Sequence, residues 1–189
     1  GSEMCIRDRG HMHAGTAGHE QDYETLLSRM LRKNPELAPH QSVRDEALEG
    51  SIGIGLDLLD TAGLEAPESF RELASQAARS LASGKDRAFT PFDLSPDNII
   101  VSQHLHFLDY ELTGIRRGGF DVACVIAGFP QFLFSKPITD EEADIFISAW
   151  SRAVADVWPL FSDPEEIHGL IVASLIGWAL SSVTTMQAG

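Results

Sequence analysis

Hydrophobic residues recur three and four positions apart over most of this chain, which is the spacing of amphipathic helices. The pattern predicts one helix over residues 21–33, ended by Asn34-Pro35. Two more follow, one from an N-cap at Ser42 toward Thr61 and one from Pro67 to Gly84. In the second half, helices are expected from Thr139 to residue 157 or 158, and from Asp163-Pro164 onward. The sequence therefore predicts a largely helical protein.

The pattern changes in the middle of the chain. Two short apolar runs, at residues 99–102 and 105–108, meet at the polar bend Ser102-Gln103-His104. Two such runs joined by a tight polar connection are typical of a β-hairpin. The predicted fold class is therefore mainly α with one short β-hairpin, an α+β arrangement.

Three polar residues flank this hairpin. Asp93 and Asn98 lie five positions apart in a turn-forming segment before the first strand, and Asp109 ends the second strand. The hairpin would bring all three to one side. In phosphoryl transfer one carboxylate orients the attacking hydroxyl and accepts its proton, while an amide oxygen and a second carboxylate hold Mg²⁺ against the nucleotide phosphates. We therefore predict Asp93 as the catalytic base and Asn98 with Asp109 as metal ligands.

The same segment resembles the catalytic core of the aminoglycoside phosphotransferase and choline kinase-like family, which shares the protein-kinase fold. The family pattern is His-Gly-Asp-Leu-x-x-x-Asn, an apolar strand, Ile-Asp-Trp/Phe-Glu, and then Phe-Asp-Leu-Ala. The matching residues occur in the same order: Asp93-Leu94, Asn98, Leu108-Asp109-Tyr110-Glu111 and Phe120-Asp121-Val122-Ala123. One departure is that Pro91-Phe92 replaces the His-Gly that precedes the catalytic Asp.

This resemblance implies that residues 19–189 form the large C-terminal lobe of a protein-kinase-like fold, with the N-terminal ATP-gripping lobe absent. It implies ATP or GTP with Mg²⁺ as cofactors, and transfer to a hydroxyl of a small molecule such as an aminoglycoside or amino alcohol. It also implies that Asp121 supports the catalytic loop from behind. Residues 112–119 are expected to form a loop, with Arg116 and Arg117 on its solvated face.

The first eighteen residues are treated as a leader. Residues 1–9 lack apolar periodicity and resemble translated adapter or vector sequence, and Gly10-His11-Met12 resembles a cloning scar. We therefore expect this leader to be artefactual or disordered at least to residue 10, and we leave the part up to about Gly10 out of the fold prediction. Residues 12–16 resemble the end of the helix that follows the interlobe hinge in the kinase family. Farther on, Gly53 and Gly55 lie within helical spacing and no Lys-Ser/Thr follows them, so they do not predict a phosphate-binding loop.

The composition and charge restrict the classes of partner that we expect the chain to bind. The chain has 189 residues and a formal net charge of −14, which argues against binding nucleic acid or an anionic membrane and suits a cationic substrate. Two distant cysteines give no disulfide framework, so we expect a reducing cytoplasm. The most apolar stretch, residues 170–180, is too short to span a bilayer. No pattern indicates an oligomeric state.

Two alternatives remain open from the sequence. The first is a non-catalytic, pseudokinase-like binding module, which Pro91-Phe92 and the missing small lobe would suit. The second is a helical scaffold without a ligand, which would leave Asp93, Asn98 and Asp109 unexplained. The acceptor itself has no signature in the motif, because acceptor specificity lies in the divergent helices.

Overall fold

Helices make up most of the described chain. The computed structural model describes residues 2–36, 45–84, 86–92, 95–102, 105–108, 110, 113–128 and 138–187. The α helices in that part of the chain are α1 Ser2–Thr16, α2 Glu20–Lys33, α3 Asp45–Thr61, α4 Glu68–Ser83, α5 Gly119–Ile126, α6 Asp140–Val154 and α7 Pro164–Gln187. Two 3-10 turns, Pro96–Asn98 and Pro159–Ser162, lie between them. The predicted largely helical α+β character is confirmed.

Four short strands form two separate antiparallel pairs in the described residues. β2 (Ile99–Val101) and β3 (Leu105–Phe107) pair with Ile99 opposite Phe107, which confirms the predicted hairpin. β1 (Arg87–Thr90) pairs with β4 (Gly114–Arg117), with Arg87 opposite Arg117. This second pair was not predicted. It frames the segment between residues 90 and 114, which contains every residue predicted to act in catalysis or to bind the metal.

The expectation of a solvated loop at residues 112–119 is wrong for the part that forms β4. Arg116 and Arg117 are only 3% and 8% exposed. Arg117 forms a buried ion pair with Asp86, 2.6 Å from Nη2 to Oδ1, and its Nη1 donates to the carbonyl of Ser80 at 2.7 Å. A buried guanidinium needs such partners because desolvation of an unpaired charge is costly. The ion pair therefore ties β4 to the residue before β1, and the hydrogen bond to Ser80 ties β4 to the last turn of α4.

The predicted helices are confirmed, and local signals account for where they begin. At α6, Thr139 Oγ1 accepts from the Glu142 amide and a Glu142 carboxylate oxygen accepts from the Thr139 amide, a reciprocal capping box. Pro67 lies at the N-cap of α4. α3 begins at Asp45 in the structure, and the proposed cap Ser42 lies outside the described residues.

α7 is the element around which the other helices pack. It contacts α3, α4 and α5. This burial on several sides explains its nearly continuous apolar sequence. In the parts of the chain that the structure describes, no helix combines the length and the apolar content needed to cross a bilayer. A second region of core, around Trp150, Trp158 and Phe161, joins α6 and the following 3-10 turn to α7.

The first residues of the chain lie in a helix, and the expectation that they are an artefactual or disordered leader stays a prediction. α1 runs from Ser2 to Thr16, and both Arg9 and Gly10 are buried. The helix lies so close to α6 that a β-carbon built on Gly10 would be 2.4 Å from Ala153 Cβ. The sequence of this segment has no apolar stripe that would predict a packed helix. Its close approach to α6 depends instead on the small residue Gly10. Its resemblance to vector sequence stays a prediction.

Candidate functional site

The structure describes two of the four predicted site residues. Asn98 ends the 3-10 turn Pro96–Asn98 and leads directly into β2. Asp121 lies in the first turn of α5 and is buried. Asp93 and Asp109 lie outside the described residues. The predicted approach of Asp93, Asn98 and Asp109 to one another therefore stays a prediction.

Asn98 is held by its backbone on both sides. Its amide donates to the carbonyl of Ser95 at 2.9 Å, and its carbonyl accepts from the amide of Leu108 at 2.8 Å. Leu108 directly precedes Asp109 in the sequence. The second hydrogen bond therefore joins the residue predicted as one metal ligand to the neighbour of the other.

The side chain of Asn98 carries one amide oxygen that could bind the predicted metal. Its Nδ2 donates to Ser95 Oγ at 3.5 Å, so the oxygen of the amide is at the opposite end of the group. An amide oxygen is a ligand type that Mg²⁺ accepts. Among the residues that the structure describes, no group of three or more His, Cys, Asp or Glu side chains could enclose a metal ion. Asn98 is therefore the one predicted metal ligand that the described residues include, and the magnesium site stays a prediction.

The residue before Asp93 has an unusual backbone. Phe92 has φ of +71°, and within the described chain it is the one non-glycine residue with a positive φ. A bulky side chain rarely adopts this left-handed conformation, because its β-carbon crowds the backbone. In the family pattern that the sequence resembles, this position is glycine, which adopts the conformation without strain.

Aromatic contacts surround the ring of Phe92. Ring centroids lie 5.1 Å from Trp178 and 5.5 Å from Phe120, both in stacked geometry. Trp178 is itself fixed, since its indole N–H donates to the carbonyl of Phe120 at 3.0 Å. The guanidinium carbon of Arg116 lies 4.8 Å from the Phe92 centroid, and Arg116 Nη1 donates to Thr90 Oγ1 at 3.2 Å. Elements far apart in sequence thus converge on the residue that precedes Asp93.

Asp121 belongs to a buried hydrogen-bond chain. Its Oδ2 lies 3.1 Å from His13 Nε2, and Trp150 Nε1 lies 3.0 Å from His13 Nδ1. An indole nitrogen can only donate, so Nδ1 of His13 accepts and its Nε2 carries the proton given to Asp121. The imidazole is therefore the neutral Nε2–H tautomer. The other carboxylate oxygen, Oδ1, has no hydrogen-bond partner among the described residues.

Sequence reasoning missed several residues of this region. His13 and Thr16 were noted only within residues 12–16, as the end of a helix, and Arg116 was expected in solvent. In the structure Thr16 Oγ1 accepts from the Phe89 amide at 3.1 Å and so joins the end of α1 to β1. Trp178 lay within a predicted helix and was given no role. No local pattern could have identified these four, because each acts through a partner distant in the sequence.

A cavity of about 390 Å³ lies elsewhere, between α4 and α7. Its walls are mainly apolar, with Arg117, Glu166 and His168 among the polar residues that line it. Of the described residues from 90 to 98 and from 105 to 110, none contributes to this lining.

Comparison of the sequence with protein-family models finds no match, and comparison with curated proteins finds none either. The functional argument therefore depends on the chemistry and the arrangement of the chain's own residues.

Proposed function

We propose that this chain is the catalytic large lobe of a phosphotransferase that moves the terminal phosphoryl group of ATP or GTP to a hydroxyl of a small molecule. The observation that carries the proposal is the 2.8 Å hydrogen bond from the Leu108 amide to the Asn98 carbonyl. It joins Asn98 to the residue next to Asp109, which is what a shared metal site made by these two residues would require. This bond extends the predicted hairpin by one residue beyond the pair Ile99 and Phe107.

Each residue has a distinct task in this proposal. Asp93 would orient the acceptor hydroxyl and accept its proton, while Asn98 and Asp109 would hold Mg²⁺ through an amide oxygen and a carboxylate. The ion, when bound, supplies positive charge that neutralises the phosphate oxygens. Because phosphoryl transfer depends mainly on positioning and electrostatics, the placement of these three side chains is the main contribution of the lobe.

The buried α5 supports the same proposal. Phe120 stacks on Phe92, and Asp121 follows Phe120 directly in α5. Asp121 therefore directly follows a residue whose ring contacts Phe92, the residue before Asp93. Its Oδ1, which has no partner among the described residues, would accept backbone N–H groups of that segment. His13 would hold the carboxylate in place through Oδ2.

Charge and composition suggest the acceptor. A net charge of −14 attracts cations, so an amino sugar or amino alcohol would be favoured over an anionic acceptor. The 189 residues contain no glycine-rich loop with a partner lysine, and these groups would have to come from polypeptide outside them. We propose a cytoplasmic setting, where nucleotide and Mg²⁺ are available.

A second candidate is a non-catalytic, pseudokinase-like binding module. The observation that favours it is Pro91-Phe92 in place of His-Gly, with a strained Phe92 packed among aromatic rings. In that case Asn98 and Asp109 would still serve nucleotide binding, while Asp93 would have no hydroxyl to activate.

The test is phosphoryl transfer from ATP and GTP to a panel of aminoglycosides, choline and amino alcohols. It compares the 189-residue chain with the same chain extended upstream in its reading frame to include a nucleotide-gripping lobe. We expect turnover by the extended protein only. Asp93→Ala should lower its kcat by about 100-fold or more, which is the usual contribution of a positioned general base.

Asp97→Ala is the matched control, since Asp97 is an exposed acid in the same segment. It should leave turnover within about twofold of the wild type, as expected for a surface substitution. An extended protein that binds nucleotide but transfers nothing would favour the binding-module candidate. Turnover by the 189-residue chain alone would disprove the need for an added lobe.

A further inference from the structure

We propose that helix α2 is the contact surface of a symmetric dimer, in which α2 of one chain lies antiparallel against α2 of a second copy. This inference is independent of the proposed function. It starts from apolar side chains of α2 that the chain leaves exposed, and from the order of the charges along the same helix. The two features together indicate a second copy of this chain as the partner.

The apolar side chains of α2 are only partly covered by the rest of the chain. Tyr23 anchors the helix, since its ring centroid lies 6.1 Å from that of Phe89 and its hydroxyl donates to the carbonyl of Thr113 at 3.0 Å. Beside this anchor, Leu26 and Met30 are 61% and 39% exposed. Two large apolar side chains one helical turn apart leave apolar surface in water, and a patch of this kind marks an interaction surface.

The exposed apolar surface extends beyond α2 itself. The ring centroid of Tyr110, just after β3, lies 6.0 Å from that of Phe89, which the Tyr23 ring also contacts. Tyr110 is 46% exposed. Leu26 follows Tyr23 by three residues, so the two side chains are neighbours on the helix surface. A self-contact needs this added width, because a helix of 14 residues is only about 21 Å long.

Acidic and basic residues are segregated along α2. The charged residues of its first half are all acidic and those of its second half are all basic, namely Glu20, Asp22 and Glu24, then Arg29, Arg32 and Lys33. Asp22 pairs with His19 at 2.9 Å, yet its side chain is 77% exposed and its carboxylate can accept a second partner. A helix with this order of charges repels a parallel copy and attracts an antiparallel one, because each acidic end then meets a basic end. An antiparallel pair has the twofold symmetry that is commonest among protein dimers.

The spacing of one exposed stripe of α2 gives the register of the pair. Its members are separated by four, three and four residues, which is the spacing of a helix–helix contact: Asp22, Leu26, Arg29 and Lys33. An antiparallel pair centred between Leu26 and Arg29 places Asp22 opposite Lys33 of the second copy, twice by symmetry. It also places Leu26 against the aliphatic stem of Arg29 of the second copy. Within one helix Asp22 and Lys33 are about 16 Å apart, so coupling between them would report the contact between two chains.

The net charge of −14 opposes self-association at long range, and salt reduces that opposition. At 0.15 M salt the Debye length is about 8 Å, so repulsion between distant charges is screened while ion pairs at the contact are screened less. One helix with an adjoining aromatic ring makes a contact at the small end of the range for specific dimers. We therefore expect a weak and reversible dimer.

The experiment is sedimentation equilibrium of the 189-residue chain at physiological salt, with the fold of each variant checked by circular dichroism. For the wild type we expect a dimer with a dissociation constant of about 100 µM, as for a small transient contact. Asp22→Lys and Lys33→Glu should each weaken the dimer about tenfold or more, because like charges then meet at both ends of the helix pair. The double variant Asp22→Lys/Lys33→Glu restores opposite charges and should return to within about threefold of the wild type.

An equimolar mixture of the two single variants should also dimerise, because every end contact between the two different chains again joins opposite charges. This mixture decides the matter if circular dichroism shows that the double variant has lost helix, since both of its substitutions oppose the helix dipole.

Leu26→Ser tests the apolar part of the contact, and Leu64→Ser is its matched control because Leu64 is 63% exposed outside α2. Leu26→Ser should weaken the dimer about tenfold or more, and Leu64→Ser should leave the dissociation constant within about twofold of the wild type. A wild-type chain that stays monomeric at about 1 mM would overturn the inference and leave this face to a partner other than a second copy. A dimer that the single charge variants leave unchanged, or that neither the double variant nor the mixture restores, would overturn it as well.

Discussion

At the residue scale, the buried His13 joins three helices that are far apart in the sequence. It lies on α1 and contacts Asp121 of α5, 108 residues away, and Trp150 of α6, 137 residues away. Both ring nitrogens are used, one as acceptor and one as donor. A buried polar chain in which every link depends on one imidazole is vulnerable at that imidazole.

His13→Ala should therefore destabilise the protein strongly. The substitution would leave a buried carboxylate oxygen and a buried indole N–H without their present partner, and each such unsatisfied buried group typically costs about 1–3 kcal/mol. Urea unfolding followed by circular dichroism measures the loss. His19→Ala is the matched control, since its pair with Asp22 is exposed and should matter by no more than about 0.5 kcal/mol. Equal losses in the two variants would contradict the role assigned to His13.

Residues of the candidate site could be proposed from the sequence only where a short stretch of the chain carries the chemical signal. Asn98 was proposed because an acid and an amide at this spacing are typical of phosphoryl transfer, and Asp121 because its segment resembles the family pattern. His13, Thr16 and Arg116 were missed because their positions are decided by tertiary packing. Arg116 shows the reason, since it looks like a solvated residue in sequence yet lies between a threonine and an aromatic ring.

At the element scale, two glycines of α3 show how closely this helix approaches α7. A β-carbon on Gly55 would lie 2.7 Å from the carbonyl oxygen of Leu180, whereas a β-carbon on Gly53 would meet no atom within 4 Å. The sequence suggested only that both lie in a helix. The structure assigns Gly55 to a close helix crossing and leaves Gly53 on the exposed face.

These two positions give a matched pair of substitutions. Gly53→Ala should raise the free energy of unfolding by about 0.5–1 kcal/mol, because alanine favours the helix and nothing obstructs its methyl group. Gly55→Ala gains the same helix preference but forces the backbones of α3 and α7 apart, so it should lower that free energy by about 1–2 kcal/mol. Thermal or urea unfolding of both variants decides the matter. A stabilising Gly55→Ala would mean that α3 and α7 are not in this contact.

Most elements could be predicted because each carries its own signal. The helices have apolar spacing and caps, and the hairpin has two apolar runs joined by a polar bend. β1 and β4 could not be predicted, because each is short, mixed in polarity and paired with a strand far along the chain. α2 is an intermediate case. The helix was predicted correctly, but of the apolar residues spaced along it Leu27 is buried while Leu26 and Met30 are exposed.

At the scale of the whole molecule, the diffuse attraction of cations by the negative charge must be distinguished from binding at the candidate metal site. A chain with net charge −14 accumulates divalent cations near its surface without a specific site, and salt screens that attraction. Specific binding would use only Asn98 and Asp109 as protein ligands. Mg²⁺ held by so few ligands keeps most of its water and relies on nucleotide phosphates to complete its coordination.

We therefore expect the 189-residue chain to bind Mg²⁺ only weakly, with a dissociation constant of about 1 mM or higher, when nucleotide is absent. Titration calorimetry in 0.15 M salt, where surface attraction is screened, measures this. With ATP present, Asn98→Ala should remove the nucleotide-dependent part of the metal binding and leave the diffuse part unchanged. Asn34→Ala is the control, because Asn34 is an amide at the end of α2 that bonds only locally in the described structure. Micromolar binding without nucleotide would show a closed metal site and contradict the proposed division of ligands. An Asn98→Ala variant indistinguishable from Asn34→Ala would remove Asn98 from the metal site altogether.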